Sequence, residues 1–271
     1  MNGKKTMKDG NNYCLEYSTF ECEKQGAILT VKLTNPEKLN ALTAVFLKEF
    51  SDMVDFIALD DEILVVTITG QGKVFIAGAD VELMSTMNPK EAALYAYNTT
   101  EMYRKMENVD KIFIASINGY TFGGGLVVAC ICDLRVASTK ATFGYPEVGL
   151  GIFPGGCGTV KLSRLIGIGK AKELSYTGRR ISAEEAYRIG LLNVITEPEN
   201  LKEETDKLAQ EIVKNSKSAV RLVKEAYNYG ADLPEDVAVN QEKNLFAMCF
   251  ATEDQKEGMR AFLEKRPPNF K

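Results

Sequence analysis

The stretch Ile117-Asn118-Gly119-Tyr120-Thr121-Phe122-Gly123-Gly124-Gly125-Leu126-Val127-Val128-Ala129 decides how the rest of the chain is read. An apolar run from Ile112 to Ile117 leads into it, and a second apolar run leaves it. An apolar run of roughly four to eight residues ahead of a glycine cluster predicts a buried strand. The run after the glycines predicts a buried helix. Glycine lets the backbone come close to a ligand, and the first N–H groups of a helix have no partner inside it. Strand, glycine turn and helix N-terminus together favour negative charge as it develops. The competing reading is a tightly packed turn without a ligand, and the glycines alone do not choose between the two.

Composition narrows the choice. With 271 residues the chain can bury a large core as one domain, or as one domain with an appendage. A hydrophobic fraction of 45% and a charged fraction of 26% are ordinary for a globular protein. The formal charge of −4, without a sustained basic run, argues against nucleic acid as a partner. No stretch approaches the ~20 apolar residues that span a bilayer, so no membrane role is expected. Met1 to Asn12 is polar, with lysines and no apolar core, and is expected to be a frayed tail and not a targeting signal. The six cysteines form no C-x-x-C pair, which points to a reducing, cytoplasmic setting.

Histidine is absent. That removes Ser-His-Asp and Cys-His catalysis, and with no C-x-x-C pair or clustered carboxylates a metal site is not expected. Acid–base chemistry must come from Glu, Asp, Lys, Tyr or Cys. Neither a P-loop nor a G-x-G-x-x-G spacing is present, so a nucleotide-phosphate cradle is not supported.

Working outward, Ala27–Leu33 alternates as a strand closed by Asn35-Pro36, and Thr43 is placed to cap a helix reaching about Leu59. Ile63–Thr69 and Val74–Asp80 read as strands, Lys90–Asn108 as a long helix and Asp133–Ser138 as another strand. Phe143–Glu147 reads as a loop, and Gly149–Gly158 has too many glycines for regular structure. From Thr159 the pattern is helical, with a capping-box signature at Ser182, and Leu192–Thr196 is a last short strand. Beyond Pro198 only helices are predicted, over about 201–214, 217–229, 234–249 and 253–264. The expected organisation is a tail over 1–16, an α/β core over 17–199 and an all-helical region over 200–271.

Taken in order, several of these stretches resemble the enoyl-CoA hydratase/isomerase (crotonase) family. They are Asn35–Leu42, Phe75–Asp80, Ile117–Gly125, Phe143–Glu147, Gly149–Gly158 and Glu257–Arg266. The resemblance covers about Tyr17 to Lys271. It implies a crotonase-like spiral of ββα turns whose C-terminal helices build a homotrimer or a dimer of trimers. It also implies an acyl-CoA substrate, with coenzyme A as part of the substrate and no separate cofactor. The backbone amides of Ala79 and Gly124 would then flank the thioester oxygen. Leu39, Ala77, Asp80 and Val81 fall where the family holds the adenine and pantetheine end, and Gly78, Gly123 and Val127 are implied as further substrate-binding residues. Phe262 and Lys265 fall where a neighbouring subunit helps bind the nucleotide.

One departure bears on the chemistry. Hydratases of the family carry two glutamates; the second is present as Glu147, but the first position is Val127. Position i+3 from Gly124 shares its helix face, so Val127 is expected to present an apolar wall to the pocket. A valine cannot orient water or move a proton. The pattern therefore resembles the single-glutamate Δ3,Δ2-enoyl-CoA isomerases, with Glu147 as proton shuttle. Hydration with one glutamate, including the hydratase-lyases, remains the alternative. A polyketide-type decarboxylase or dehydratase and a non-catalytic acyl-CoA binder are further alternatives. An RNA-binding role is discounted, because Lys90–Asn108 is not rich in lysine.

Overall fold

The structure is a computed structural model that describes residues 3–270. From the N-terminus, β1 (Lys4–Met7), β2 (Tyr13–Glu16), β3 (Phe20–Gln25) and β4 (Ile28–Leu33) form an antiparallel meander. Helix α1 (Ala44–Ala58) leads to β5 (Val65–Gly70), β6 (Val74–Ile76), the short α2 (Val81–Ser85) and the long α3 (Pro89–Asn108). Next come β7 (Ile112–Ile117), β8 (Tyr120–Phe122) and α4 (Gly124–Ile131). They are followed by β9 (Leu134–Ser138), β10 (Thr142–Gly144), α5 (Gly158–Ile166) and α6 (Ile168–Thr177). After β11 (Arg180–Ser182), α7 (Ala183–Arg188) and β12 (Val194–Thr196) the chain is helical. It continues as α8 (Leu201–Val213), α9 (Lys217–Gly230), α10 (Glu235–Cys249) and α11 (Glu253–Leu263).

From β5 to β10, successive strands alternate between two sheets. The large sheet runs β1-β2-β3-β4-β5-β7-β9-β12 and is parallel from β4 onward; the small one runs β11-β10-β8-β6. Thus β5, β7 and β9 enter the large sheet, and β6, β8 and β10 immediately follow into the small one. Helical segments close each turn, giving the spiral of ββα turns that the resemblance implied. At one corner Asn118 joins successive turns. Its amide nitrogen donates to the Gly72 carbonyl at 2.9 Å, and its oxygen accepts from the Gly70 N–H at 3.0 Å.

Burial on both faces explains why β5 and β7 are mostly apolar without strict alternation. One face carries the main core, with Phe46, Phe50 and Met53 of α1, Met102 and Tyr103 of α3 and Leu126 of α4. On the other face Val65, Ile112, Ile114 and Val136 pack against Leu201 and Ala209 of α8. Helix α8 is therefore a layer of the core, although the composition shift near residue 200 suggests a boundary there. Helix α9 is tied in by Lys224, whose ammonium donates to the Lys111 carbonyl at 2.6 Å and meets Asp133 at 3.0 Å.

The frayed tail expected over 1–16 is corrected for the described part. β1 and β2 extend the large sheet, with Lys5 opposite Leu15 and Cys14 opposite Glu23. Tyr13 and Leu15 are buried. Polar composition misleads here, because only alternate residues of β2 face the core and all of β1 lies at the exposed edge. Met1 and Asn2 lie outside the described residues. At the other end, Phe246 and Met248 of α10, Phe250 just after it, and Phe262 and Leu263 of α11 stand at least half exposed.

Candidate active site

Two peptide planes set the site. The Gly78–Ala79 peptide has its carbonyl fixed by the Leu42 N–H at 2.9 Å, and the Gly123–Gly124 peptide has its carbonyl fixed by the Val127 N–H at 3.1 Å. A trans peptide points its N–H opposite to its C=O. The Ala79 N–H therefore turns away from Leu42, and the Gly124 N–H points out from the start of α4. Among the described residues neither amide has a hydrogen-bond acceptor. A Cβ on Gly124 would stand 3.8 Å from the Ala79 nitrogen, and one on Gly78 would stand 4.0 Å from the Gly124 nitrogen. The two free donors border one small space.

Each of the three glycines has its own reason. Gly123 adopts φ +54°, and a Cβ there would lie 2.9 Å from Glu147 Oε1. A Cβ on Gly124 would strike Leu42 Cδ1 at 2.7 Å. On Gly125 it would come within 2.0 Å of the Ile76 carbonyl oxygen, because the first turn of α4 lies directly on β6. Gly78 likewise needs its φ of +118° to turn the Ala79 amide inward.

Glu147 is the second residue of the 3₁₀ turn Pro146–Leu150, and its carboxyl lies close to Gly123. Oε2 is buried without a hydrogen-bond partner among the described residues. Burial pushes the carboxyl up to about 7; the turn's own backbone N–H works in the opposite direction and is outweighed. A carboxyl poised near neutrality beside two free amides can accept a proton and return it.

Val127 is 1% exposed. Its Cγ2 and the Tyr145 hydroxyl lie 3.1 and 3.2 Å from where a Cβ on Gly158 would stand, so it packs beneath the Pro154–Gly158 turn. It is apolar and buried one turn along α4 from Gly124. The tyrosine hydroxyls nearby were missed by sequence reasoning: Tyr145 donates to the Gly158 carbonyl at 3.3 Å and Tyr103 to the Gly124 carbonyl at 3.4 Å. Their only sequence signal is position, Tyr145 two residues before Glu147 and Tyr103 on the helix facing the glycines.

The other expected binding residues form a ledge. Ala77 N–H donates to the Leu39 carbonyl at 3.1 Å, Leu39 and Val81 are 51% and 56% exposed, and Asp80 caps α2 through the Leu83 N–H. Gly78, Ala79, Gly123 and Gly124 lie at its inner end. Phe262 and Lys265 are not brought there. They are exposed at the end of α11, and among the described residues make no hydrogen bond or ion pair with the ledge.

An α/β spiral carrying two inward-facing amides beside a near-neutral carboxyl defines a class of proteins suited to stabilising an enolate. The sequence profile of the Enoyl-CoA hydratase/isomerase family matches residues 23–271, and the chain belongs to that family. It is 44% identical over 253 residues to the short-chain-enoyl-CoA hydratase of Clostridium acetobutylicum, covering 93% of this chain and 97% of that one. It is 43% identical to the crotonyl-CoA hydratase of Syntrophomonas wolfei, covering 94% and 99%. The crystal structure of an enoyl-CoA hydratase from Bacillus anthracis superposes with a TM-score of 0.90 at 35% identity, covering 94% and 99%. One from Geobacillus kaustophilus gives 0.92 at 34%, covering 95% and 98%.

Proposed function

We propose that this enzyme of the hydratase/isomerase family acts on short-chain enoyl-CoA thioesters, with Glu147 as its one proton-transferring side chain. The supporting observation is a buried carboxyl, raised to about 7, resting on the glycine turn beside two free amides. Ala79 and Gly124 N–H groups would take the charge that develops on the thioester oxygen, each donor contributing ~3 kcal/mol to lowering the barrier. Leu39, Ala77, Gly78, Asp80, Val81 and Gly123 would hold the pantetheine and adenine portions and the thioester. Phe262 and Lys265 would serve the site of a neighbouring copy in a trimer or dimer of trimers. Six free cysteines fit a reducing compartment such as the cytoplasm.

Hydration is the reaction that the relatives support, and it takes the first place that the sequence alone gives to isomerisation. Ionised Glu147 would accept a proton from water as the water oxygen bonds to C3. The C2=C3 electron pair moves to the thioester oxygen, and the carboxyl then returns a proton to C2, so one water adds across the double bond. Isomerisation is the second reading, favoured by Val127. There Glu147 takes the C2 proton of a 3-enoyl thioester, and the same carboxyl delivers it to C4. The apolar wall excludes water and serves this reaction better.

A paired assay with crotonyl-CoA and 3-hexenoyl-CoA distinguishes them. Faster turnover of crotonyl-CoA supports hydration, and faster double-bond migration in 3-hexenoyl-CoA supports isomerisation. CoA-ester binding without turnover of either would leave the non-catalytic binder or the acyl-carrier-protein chemistries.

A further inference from the structure

Leu42 touches both arms of the amide pair. Its N–H fixes the carbonyl of the peptide that carries the Ala79 N–H, at 2.9 Å, and the two residues form an isolated parallel bridge. Its Cδ1 lies against Gly124, 2.7 Å from where a Cβ would stand. What holds Leu42 in turn is a phenol, the Tyr95 hydroxyl of α3 donating to the Leu42 carbonyl at 3.0 Å. About two turns further along the same helix, the Tyr103 hydroxyl donates to the Gly124 carbonyl at 3.4 Å. Residues eight apart on a helix lie within ~80° of one another around its axis, so a single helix reaches both arms. Burial pushes the Tyr95 phenol up to about 12, which keeps it a donor at neutral pH.

We propose that α3 is the positioning element of the amide pair, with Tyr95 registering the Ala79 arm through Leu42 and Tyr103 registering the Gly124 arm. The inference rests on the reading of those amides as acceptors of enolate charge. Neither phenol meets the reacting atoms, so both are positioning residues. Each acts on where an N–H points, and a displacement on the order of 1 Å in such a site costs about 10²-fold in rate. Tyr95→Phe removes one tether and keeps the ring packing, so about a tenfold loss in kcat is expected. Tyr103→Phe, whose bond is longer, costs less, and the double variant costs more than either.

Acetoacetyl-CoA provides a readout independent of which reaction the enzyme performs. It loses a C2 proton to solvent or to Glu147, and the resulting enolate absorbs in the near ultraviolet and places charge on the thioester oxygen. The full-length wild type and the Phe variants are titrated with it across pH, and kcat and KM are measured for crotonyl-CoA or 3-hexenoyl-CoA. The wild type should lower the apparent pKa of the bound ligand. Tyr95→Phe should raise it again and lower kcat about tenfold, with KM changed less than about twofold and thermal stability nearly retained. A Tyr95→Phe variant with the wild-type enolate spectrum and kcat overturns the proposal. Loss of binding together with thermal stability overturns it as well, by making Tyr95 purely structural. If the wild type itself fails to favour the enolate, the reading of the amides falls and this proposal falls with it.

Discussion

Glu147 carries its charge at a cost. Its pKa is raised above the ordinary carboxylate value, so between about 4.5 and 7 the folded chain binds more protons at this site than the unfolded chain. Stability contributed by the group is thus lost as pH rises through that window and stays lost above it. Glu147→Gln should therefore stabilise the protein at pH 8 by about 1–2 kcal/mol, discounted because solvent reaches part of the carboxyl, and leave it unchanged at pH 4. Thermal melts at the two pH values check the sign. If Glu147 is the base as proposed, its ionised form is the active one, and kcat/KM should rise along a limb centred near pH 7. The proposed choice between hydration and isomerisation turns on Val127. Val127→Glu should raise the ratio of crotonyl-CoA hydration to 3-hexenoyl-CoA isomerisation by roughly 10–100-fold, toward the lower end of what one acid–base group contributes. It should also cost about 1–3 kcal/mol of stability for burying a polar group. An unchanged ratio would mean that position 127 does not reach the substrate.

At the scale of elements, the site depends on contacts that leave no room. Gly125→Ala would press a methyl into the Ile76 carbonyl, 2.0 Å away, and part α4 from β6. It should lower stability by more than ~3 kcal/mol, measurable by denaturant unfolding. Lys224→Met should cost about 3 kcal/mol, because it removes the donor to the Lys111 carbonyl and leaves Asp133, which still accepts from the Phe113 N–H, without its cation. Long elements were legible in the sequence. Thr43 caps α1, α3 starts one residue before the expected Lys90, and α8 to α11 lie within a residue or so of the apolar periodicity. The small sheet was much less so. β8, β10 and β11 have three residues each, too few to show a period, and they exist because the spiral places them side by side. β1 is hidden for another reason, since an exposed edge strand reads as polar loop. In the site, Glu147 and the glycines were legible, because small residues and a lone acid stand out against apolar runs. Leu42, Tyr95 and Tyr103 were not, because nothing in an ordinary leucine or tyrosine announces a hydrogen bond to a backbone 53 or 21 residues away.

The whole molecule is a spiral whose last two helices present apolar side chains outward. Phe246 is 65% exposed, Phe262 83% and Leu263 80%, more than an isolated chain comfortably leaves to water. Light scattering should give a mass that is a multiple of three times 29.9 kDa, and Phe246→Asp should reduce it. The proposed function rests on one statement: a single carboxyl, Glu147, moves the proton while two amides hold the charge. The most direct measurement is turnover of crotonyl-CoA and 3-hexenoyl-CoA by Glu147→Gln beside the wild type, with binding of each thioester measured in parallel. A loss of at least about 10²-fold on whichever substrate the wild type turns over, with thioester affinity retained, is the predicted result. Turnover within a few-fold of wild type would contradict it and place the proton transfer on another group.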